Sequence, residues 1–525
     1  MIHTTADNIT IKDQLFMLFL LLLPCLFIHF KFDSDTYWLI NSGRYVIAHG
    51  IPHIEPFTLH HGLHFVMQQW LSATMFAFIY NTLGSLFLFV FVAFINGFII
   101  YSIFRICMRT SEGNFLLSFT ISFIVSVPLR AFMVLRPYLL SILLFSLELN
   151  LLEAYLQKKH LFERGGSKPE NNKIKWLTYI KVCCANFNFK MNAILCGLPI
   201  LSALLINLHA AMWPFFFMLM IPYFIDSFRF NLWGLKGQGY SCLPIATAAA
   251  LSFAAGWMSP YGFESMTYLF RSYGNAYAST MISEMQSFDF KTVNGIFVFI
   301  IYFFLIMIFC FKHRAETRLR YALLIIGTGY MGLSSIRNLS LFLICGIPFV
   351  AQPLKTIRIL KTPNKQPRFP WFRYVLMCII IVWTGLTFYI RAEKSEKDAE
   401  IFLPIKAVDY IKMHVNKESI RLFTGYDTGG YAEFKGLRPF IDARAEVFLK
   451  SNNRKENILD DYFNVSLGKT HYRELIEKYK LTHFLVGKSD MLLFTYMSED
   501  PDFELLFTDG DFKVFALKNS VKLIF

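Results

Sequence analysis

Asp33 and Asp35 stand two residues apart, just after an apolar run that ends at Phe30. Carboxylates at this spacing can hold a divalent cation such as Mg or Mn together with a phosphate oxygen, because hard cations take oxygen ligands. Alternatively, one of the pair can act as general base on an acceptor hydroxyl, its proton affinity raised by its neighbour's charge. A helix cap with a solvated loop charge is the plainer alternative, since D-x-D is short and common. The stretch 32–70 adds Glu55, five histidines (His49, His53, His60, His61, His64) and the aromatics Tyr37, Trp38, Phe57, Phe65 and Trp70. Glu55 can complete an acidic site or serve as a turn residue before Pro56. Trp38 and its neighbours can stack on a sugar ring or anchor at a membrane interface. The histidines show no H-x-x-x-H spacing with a placed carboxylate, which argues against zinc.

Such a polar stretch needs elements that hold it, and composition says what they are. The 525 residues are 55% hydrophobic and only 17% charged, with 58 Phe and a mean hydropathy of +0.43. Soluble domains average about 25% charged residues. The chain reads as an α-helical polytopic membrane protein. Its net charge of +14 does not point to nucleic acid, because the basic residues cluster in short segments between apolar runs. None of the nine cysteines lies beyond Cys378, so the C-terminal part carries no disulfide framework.

A spanning helix needs about 20 apolar residues. Candidate spans fall near 15–30, 84–106, 114–130, 137–156, 193–208, 211–226, 243–258, 295–311, 321–336, 338–354 and 374–390, about eleven in all. Lys and Arg crowd one set of loops (Arg105, Arg109, Lys158–Lys181, Arg229, Arg314–Arg320, Lys355–Arg373) and are sparse in the other. Cytoplasmic loops carry that excess. The N-terminus is then inside, the loop 31–83 outside, and the C-terminus outside. Residues 1–390 form the transmembrane part and 391–525 an extracytoplasmic α/β domain. In the latter, Ile420–Thr424, Arg438–Asp442 and Thr482–Val486 read as strands, with a closing hairpin around Asp509-Gly510. Helical patterns occupy 403–415, 454–463 and 471–479.

Further candidates lie at the outer boundary of this topology. His209, at the end of a span, can hydrogen-bond a sugar or phosphate, or be a satisfied interhelical histidine. Glu284 can be a second carboxylate facing Asp33. Arg130, Arg136, Arg271 and Arg337 sit outside against the charge bias, where guanidinium groups suit a bidentate grip on lipid phosphate. Snorkelling to headgroups is the alternative for each.

The run from Asp33 through Trp38, Gly43, Gly50-Ile51-Pro52, Glu55-Pro56-Phe57-Thr58 and Trp70-Leu71 resembles the opening of a bacterial and archaeal family of polytopic membrane proteins related to the GT-C glycosyltransferases. The resemblance continues with Arg136-Pro137, Asn207-Leu208-His209, Ser259-Pro260-Tyr261-Gly262, Ser283-Glu284, Arg337-Asn338, Gly429-Gly430-Tyr431 and Phe440-Ile441-Asp442-Ala443-Arg444. It implies a GT-C-like fold and transfer of a sugar from a polyprenyl-phosphate-type donor to a glycan, lipid or protein acceptor on the extracytoplasmic face of a bacterial plasma membrane. It also implies that the acidic residues of the first loop, Asp33, Asp35 and Glu55, act as base or metal ligand. Glu55 departs from the family's more usual Asp. A transporter or flippase of lipid-linked sugars is the second reading. It would need ionisable residues at mid-span and paired repeats, and the spans read as nearly free of charge. A non-catalytic membrane protein of envelope assembly is the third.

Overall fold

The computed structural model of the chain describes residues 11–23, 31–165, 193–229, 231–232, 235–272, 276–311, 317–355, 370–416, 420–487 and 490–518. The end of the first apolar run (24–30) and the basic segments 166–192 and 356–369 lie outside the described residues. Thirteen labelled helices make up the first part: α1 Ile11–Leu22, α2 Ser34–His49, α3 Trp70–Leu83, α4 Ser85–Thr110, α5 Phe115–Leu129, α6 Pro137–Gly165, α7 Gly197–Leu208, α8 Trp213–Asp226, α9 Leu243–Ala255, α10 Val293–Phe311, α11 Leu319–Ser334, α12 Leu339–Cys345 and α13 Pro370–Asp398. Ser85–Thr110, Phe115–Phe132 and Pro137–Lys159 are long and apolar enough to cross a membrane. Shorter apolar helices cover Gly197–Leu208, Ala210–Asp226, Leu243–Met258 and Leu339–Leu354. Helix α13 runs through residues 390 and 391 without a break, where composition places a domain boundary.

The segment 31–83, read as an outer loop, contains two helices. Helix α2 starts because the Asp33 carboxylate accepts the Thr36 N–H at 3.0 Å, satisfying one of the donors left open in a first turn. It stops at Gly50, whose φ of +81° suits a residue without a Cβ, two residues before Pro52. Helix α3 lies against it closely. A Cβ on Gly43 would come within 2.0 Å of the Ala73 carbonyl oxygen, so only glycine allows this approach.

The bundle also buries charge that sequence assigned to a solvated loop. Arg320, expected in a basic inner loop, is fully buried at the start of α11. Its Nε and Nη2 donate to the two oxygens of Glu153 on α6 at 2.8 and 3.2 Å, and its Nη1 donates to Asp226 at the end of α8 at 2.7 Å. The Tyr321 hydroxyl donates to Glu153 at 2.7 Å. Helices α6, α8 and α11 are thereby locked together. The spans are therefore not free of ionisable groups, since Glu148 and Glu153 both lie within Pro137–Lys159.

The C-terminal part is built on a four-stranded sheet: β1 Leu422–Thr424, β2 His483–Val486, β3 Phe503–Thr508 and β4 Lys513–Leu517, in the order β1-β2-β4-β3. β1 pairs parallel to β2; the other neighbours are antiparallel, and β3 and β4 form the hairpin around Asp509-Gly510. Around the sheet pack α14 Ile405–His414, α15 Gly429–Phe434, α16 Ile458–Ser466, α17 Tyr472–Tyr479 and α18 Met491–Glu499. Arg438–Asp442 is not a strand. It makes a single bridge, Leu422 to Pro439, and the carbonyls of Pro439 and Phe440 turn to another partner. The Pro439 carbonyl accepts the Leu59 N–H at 3.0 Å, and the Phe440 carbonyl meets His60 Nε2 at 2.8 Å. The loop 53–65 thus occupies the place of a sheet neighbour.

One side chain fastens that loop to the C-terminal part. Arg444, 2% exposed, donates through Nη2 to Glu55 at 3.0 Å, Glu433 at 3.2 Å and Asp442 at 2.5 Å, and through Nε to Asp442 at 2.9 Å. Its guanidinium lies 5.0 Å from the Phe57 ring centroid, 5.6 Å from Phe65 and 5.7 Å from Trp38. One cation cannot neutralise three buried carboxylates. Burial accordingly pushes the Glu433 carboxyl well above the ordinary glutamate range, against the pull of Arg444.

Two outcomes follow from these buried charges. Arg320→Met strands Glu153 and Asp226 without a cation and should cost about 3–5 kcal/mol; the triple change with Glu153→Gln and Asp226→Asn should recover most of it in denaturation of the detergent-solubilised protein. For Glu433, a raised folded-state pKa means its contribution to stability is whole below the unfolded value of about 4.3 and fades as pH rises through the folded one. Glu433→Gln should flatten the fall in unfolding midpoint across that window, and an unchanged slope would show the proton sits elsewhere.

Candidate active site

The two aspartates occupy the N-terminal turn of α2, where the helix dipole favours negative charge. Asp33 divides its oxygens. Oδ1 caps the helix, accepting Thr36 N at 3.0 Å and Thr36 Oγ1 at 2.9 Å, while Oδ2 accepts Arg136 Nη2 at 2.6 Å. Asp35 does likewise, with Oδ1 accepting Trp38 Nε1 at 3.0 Å and Oδ2 paired with Arg136 Nη1. Arg136 sits just before Pro137, which opens the long helix α6. One guanidinium therefore spans both carboxylates, and all three side chains remain between 22% and 32% exposed. The cap reading and the chemical reading of Asp33 are both realised, on different oxygen atoms.

Two residues beyond Arg136, the buried Tyr138 begins a second group. Its hydroxyl donates to the Arg337 carbonyl at 3.2 Å and meets Ser340 Oγ at 2.6 Å. The Arg337 guanidinium lies over its ring at 5.0 Å. The His209 ring meets Tyr138 edge-on at 6.2 Å, and His209 Nδ1 contacts Ser141 Oγ at 2.9 Å. The Glu284 backbone carbonyl accepts Arg337 N at 3.0 Å and Ser335 Oγ at 2.9 Å, while the Glu284 side chain is exposed. His209, Arg337, Glu284 and Arg136 thus converge on the first turn of α6 and its surroundings. Sequence reasoning missed Tyr138; its place directly after Arg136-Pro137 was the available signal.

Three expected site residues are placed differently. Glu55 is buried, and both oxygens are taken: Oε1 accepts Phe57 N and Arg444 Nη2, each at 3.0 Å, and Oε2 accepts Thr58 N at 3.0 Å and Thr58 Oγ1 at 2.6 Å. That is the bonding of a structural carboxylate, with no lone pair turned toward a reactant. Arg271 donates to the Glu264 carbonyl at 2.5 Å, in a group with His64 and Arg454 that both pair with Glu264. Trp38 is buried between Asp35 and Arg444, where it positions the acidic turn and leaves no exposed face for a sugar. The five histidines take separate partners: His60 the Phe440 carbonyl, His64 Glu264, His49 the ring of Tyr45 and His53 that of Tyr261, with His61 giving its carbonyl to Lys455.

The C-terminal part reaches the same turn. A Cβ on Gly430 would fall 2.6 Å from the Ser34 carbonyl oxygen, so α15 seats directly against the start of α2. Tyr37 packs on Tyr431 and Phe434 at 5.0 and 4.7 Å, and Asn41 donates to Glu433 at 2.8 Å. Asp427, on the turn between β1 and α15, lies within electrostatic reach of Asp33 and Lys31. Gln68, also missed in the sequence, accepts Ala210 N with its carbonyl and Ala211 N with Oε1, and donates to Glu446 at 2.8 Å.

By chemistry, Asp33 and Asp35 suit a hard cation: both turn Oδ2 to the same guanidinium, that of Arg136. Among the described residues no group of three His, Cys, Asp or Glu gathers there. An ion would share the carboxylates in competition with Arg136 and draw its other ligands from substrate oxygens and water.

No family model and no curated protein sequence matches the chain. Among solved structures, it is similar to the archaeal oligosaccharyltransferase AglB from Archaeoglobus fulgidus, determined in complex with an inhibitory peptide and a dolichol-phosphate. The TM-score is 0.52 at 10% identity, over 97% of this chain and 75% of that one. At so low an identity the likeness speaks for the fold alone. The chain thus has a fold like that protein's, and its apolar helices and small sheet fit a polytopic membrane protein.

Proposed function

We propose that this chain is a membrane glycosyltransferase that moves a sugar from a polyprenyl-phosphate-type donor to an acceptor on the extracytoplasmic face. The observation that carries this is the pair of partly exposed carboxylates bridged by Arg136 at the foot of a membrane-length helix. The likeness in fold to a protein solved with a dolichol-phosphate supports the same reading.

In the reaction, the acceptor's nucleophilic atom attacks the anomeric carbon from the face opposite the phosphate. The bond to the phosphate oxygen breaks, its electron pair leaves with the polyprenyl phosphate, and the configuration inverts. The acceptor's proton passes to the Oδ2 atom of Asp33 or Asp35. Arg136 bridges both carboxylates; an arriving donor phosphate offers it a third anion, and the exchange frees a carboxylate for the acceptor. Arg337, with His209 and Tyr138 beside it, receives the phosphate from the other side. A divalent cation held by Asp33 and Asp35 would add countercharge to the leaving phosphate.

Asp33→Asn and Asp35→Asn should each lower consumption of lipid-linked donor, by about 10²–10⁴-fold where the residue acts as the base. Arg136→Gln should weaken donor binding more than it slows saturated turnover. Glu55→Gln should act mainly on stability. Ordinary turnover in both aspartate variants, with the protein still folded in the membrane, would end the catalytic reading of this turn. Chelation followed by Mn or Mg repletion reads out the cation: lost and restored turnover places an ion on the pair, and unaltered turnover leaves Arg136 as the countercharge.

A further inference from the structure

The C-terminal part has a pocket of its own, between α16, α17 and α18. Its volume is about 270 Å³, and it is lined by Val465 on α16, Thr470 and His471 in the loop that follows, Tyr472 at the start of α17, and Leu493 and Tyr496 on α18. Ligand pockets run from about 300 Å³ upward, so this one has room for a single ring. Among the described residues, its lining holds no Lys, Arg, Asp or Glu. A phosphate or an acidic peptide would find no countercharge there.

The lining instead combines aromatic rings with neutral hydrogen-bonding groups. The Tyr472 and Tyr496 rings lie 6.0 Å apart and 23° from parallel, and His471 stacks on Tyr472 at 4.5 Å. Tyr472 is held by its hydroxyl, which donates to Asp500, itself paired with Arg473 at 2.6 Å. Tyr496 is 46% exposed and leaves much of its ring open. His471 caps α17, its Nδ1 accepting the Arg473 N–H at 3.3 Å, so the neutral ring carries its hydrogen on Nε2. Gly468, at φ +70°, keeps the loop close to α18, since a Cβ there would come within 2.9 Å of Leu492.

The rim of this pocket is tied to the segment between α9 and α10. Tyr277, on the short helix Ala276–Met281, stacks on Phe463 at 5.5 Å and donates to Asn464 Oδ1 at 2.5 Å, and Lys469 donates to the Tyr277 hydroxyl at 3.0 Å. The Asn464 carbonyl accepts the N–H groups of Lys469 and Thr470 at 2.8 and 3.2 Å. The same segment runs on to Glu284, whose carbonyl holds Arg337 N.

We propose that this pocket is a saccharide subsite that takes one neutral sugar ring. A sugar has C–H groups on its faces, which the negative face of an aromatic ring attracts, and hydroxyls at its edge, which His471 Nε2 and Thr470 can bond. An aliphatic tail would leave those polar groups unused. The proposal rests on reading the chain as a glycosyltransferase, and it selects a glycan among the acceptor classes, the ring held here being one other than the ring that reacts.

Saturation-transfer NMR on the full chain in lipid nanodiscs tests this, with neutral trisaccharides of glucose, mannose, galactose and N-acetylglucosamine as probes. At least one should receive saturation, chiefly at the C–H protons of a single residue. Tyr496→Ala should weaken that binding by about 10-fold, and Tyr496→Phe should keep it. Thermal unfolding of both variants checks that the fold is retained. Asp33→Asn should bind the same probe as the parent chain does, so that loss of turnover there and loss of binding here are separate results. Absence of transfer to every probe would overturn the proposal. So would equal binding in Tyr496→Ala, which would place the sugar elsewhere.

Discussion

The arrangement of α2, the loop after it and the C-terminal part depends on one guanidinium set among three carboxylates. Arg444 is reached from the loop after α2 by Glu55, from α15 by Glu433 and from its own turn by Asp442, and the rings of Trp38, Phe57 and Phe65 close around it. Taking a cation and three anions out of water is costly unless each is bonded to another. That cost makes the cluster selective: the 53–65 loop, α2 and the sheet must all be in place, or a charge is left bare. Because Trp38 faces Arg444 on one side and donates to Asp35 on the other, the cluster also fixes where the acidic turn points.

That turn shows how a carboxylate can serve fold and chemistry together. A carboxylate has two oxygens and about four acceptor positions. Asp33 and Asp35 each commit Oδ1 to α2, one to the Thr36 N–H and hydroxyl and one to Trp38, and each leaves Oδ2 for Arg136. Weighing a cap against an active site poses the wrong alternative, since capping holds the second oxygen still. Glu55 is the counter-example. It has the same charge and lies in the same stretch, but both of its oxygens are bonded to backbone, hydroxyl and Arg444.

Much of the arrangement was legible as separate short motifs, and the structure joins them in pairs. Tyr261 of Ser259-Pro260-Tyr261-Gly262 donates to the Pro52 carbonyl at 2.7 Å. Trp70 donates to Asn207 at 2.9 Å, and Ser72 to the Leu208 carbonyl at 2.6 Å. Gly430 abuts Ser34, and Arg337 takes the Glu284 carbonyl. Hydropathy located the apolar helices, and alternation located β1, β2 and the closing hairpin. What sequence hid was tertiary. Helix α2 has a polar, histidine-flanked composition because it buries one side against α3 and another against α15, neither of which is near it in the chain. Arg438–Asp442 has strand composition, but its carbonyls are claimed by Leu59 and His60 from far upstream.

The same distinction separates the two glutamates of α6. Glu148 and Glu153 are five residues apart on one helix and both are buried, so no local pattern tells them apart. Glu153 meets a bidentate arginine and a tyrosine hydroxyl, and its charge becomes the link between α6, α8 and α11. Glu148 makes no hydrogen bond among the described residues, and the titratable group within electrostatic reach of it is the buried Cys345. A buried carboxyl beside a guanidinium is a joint.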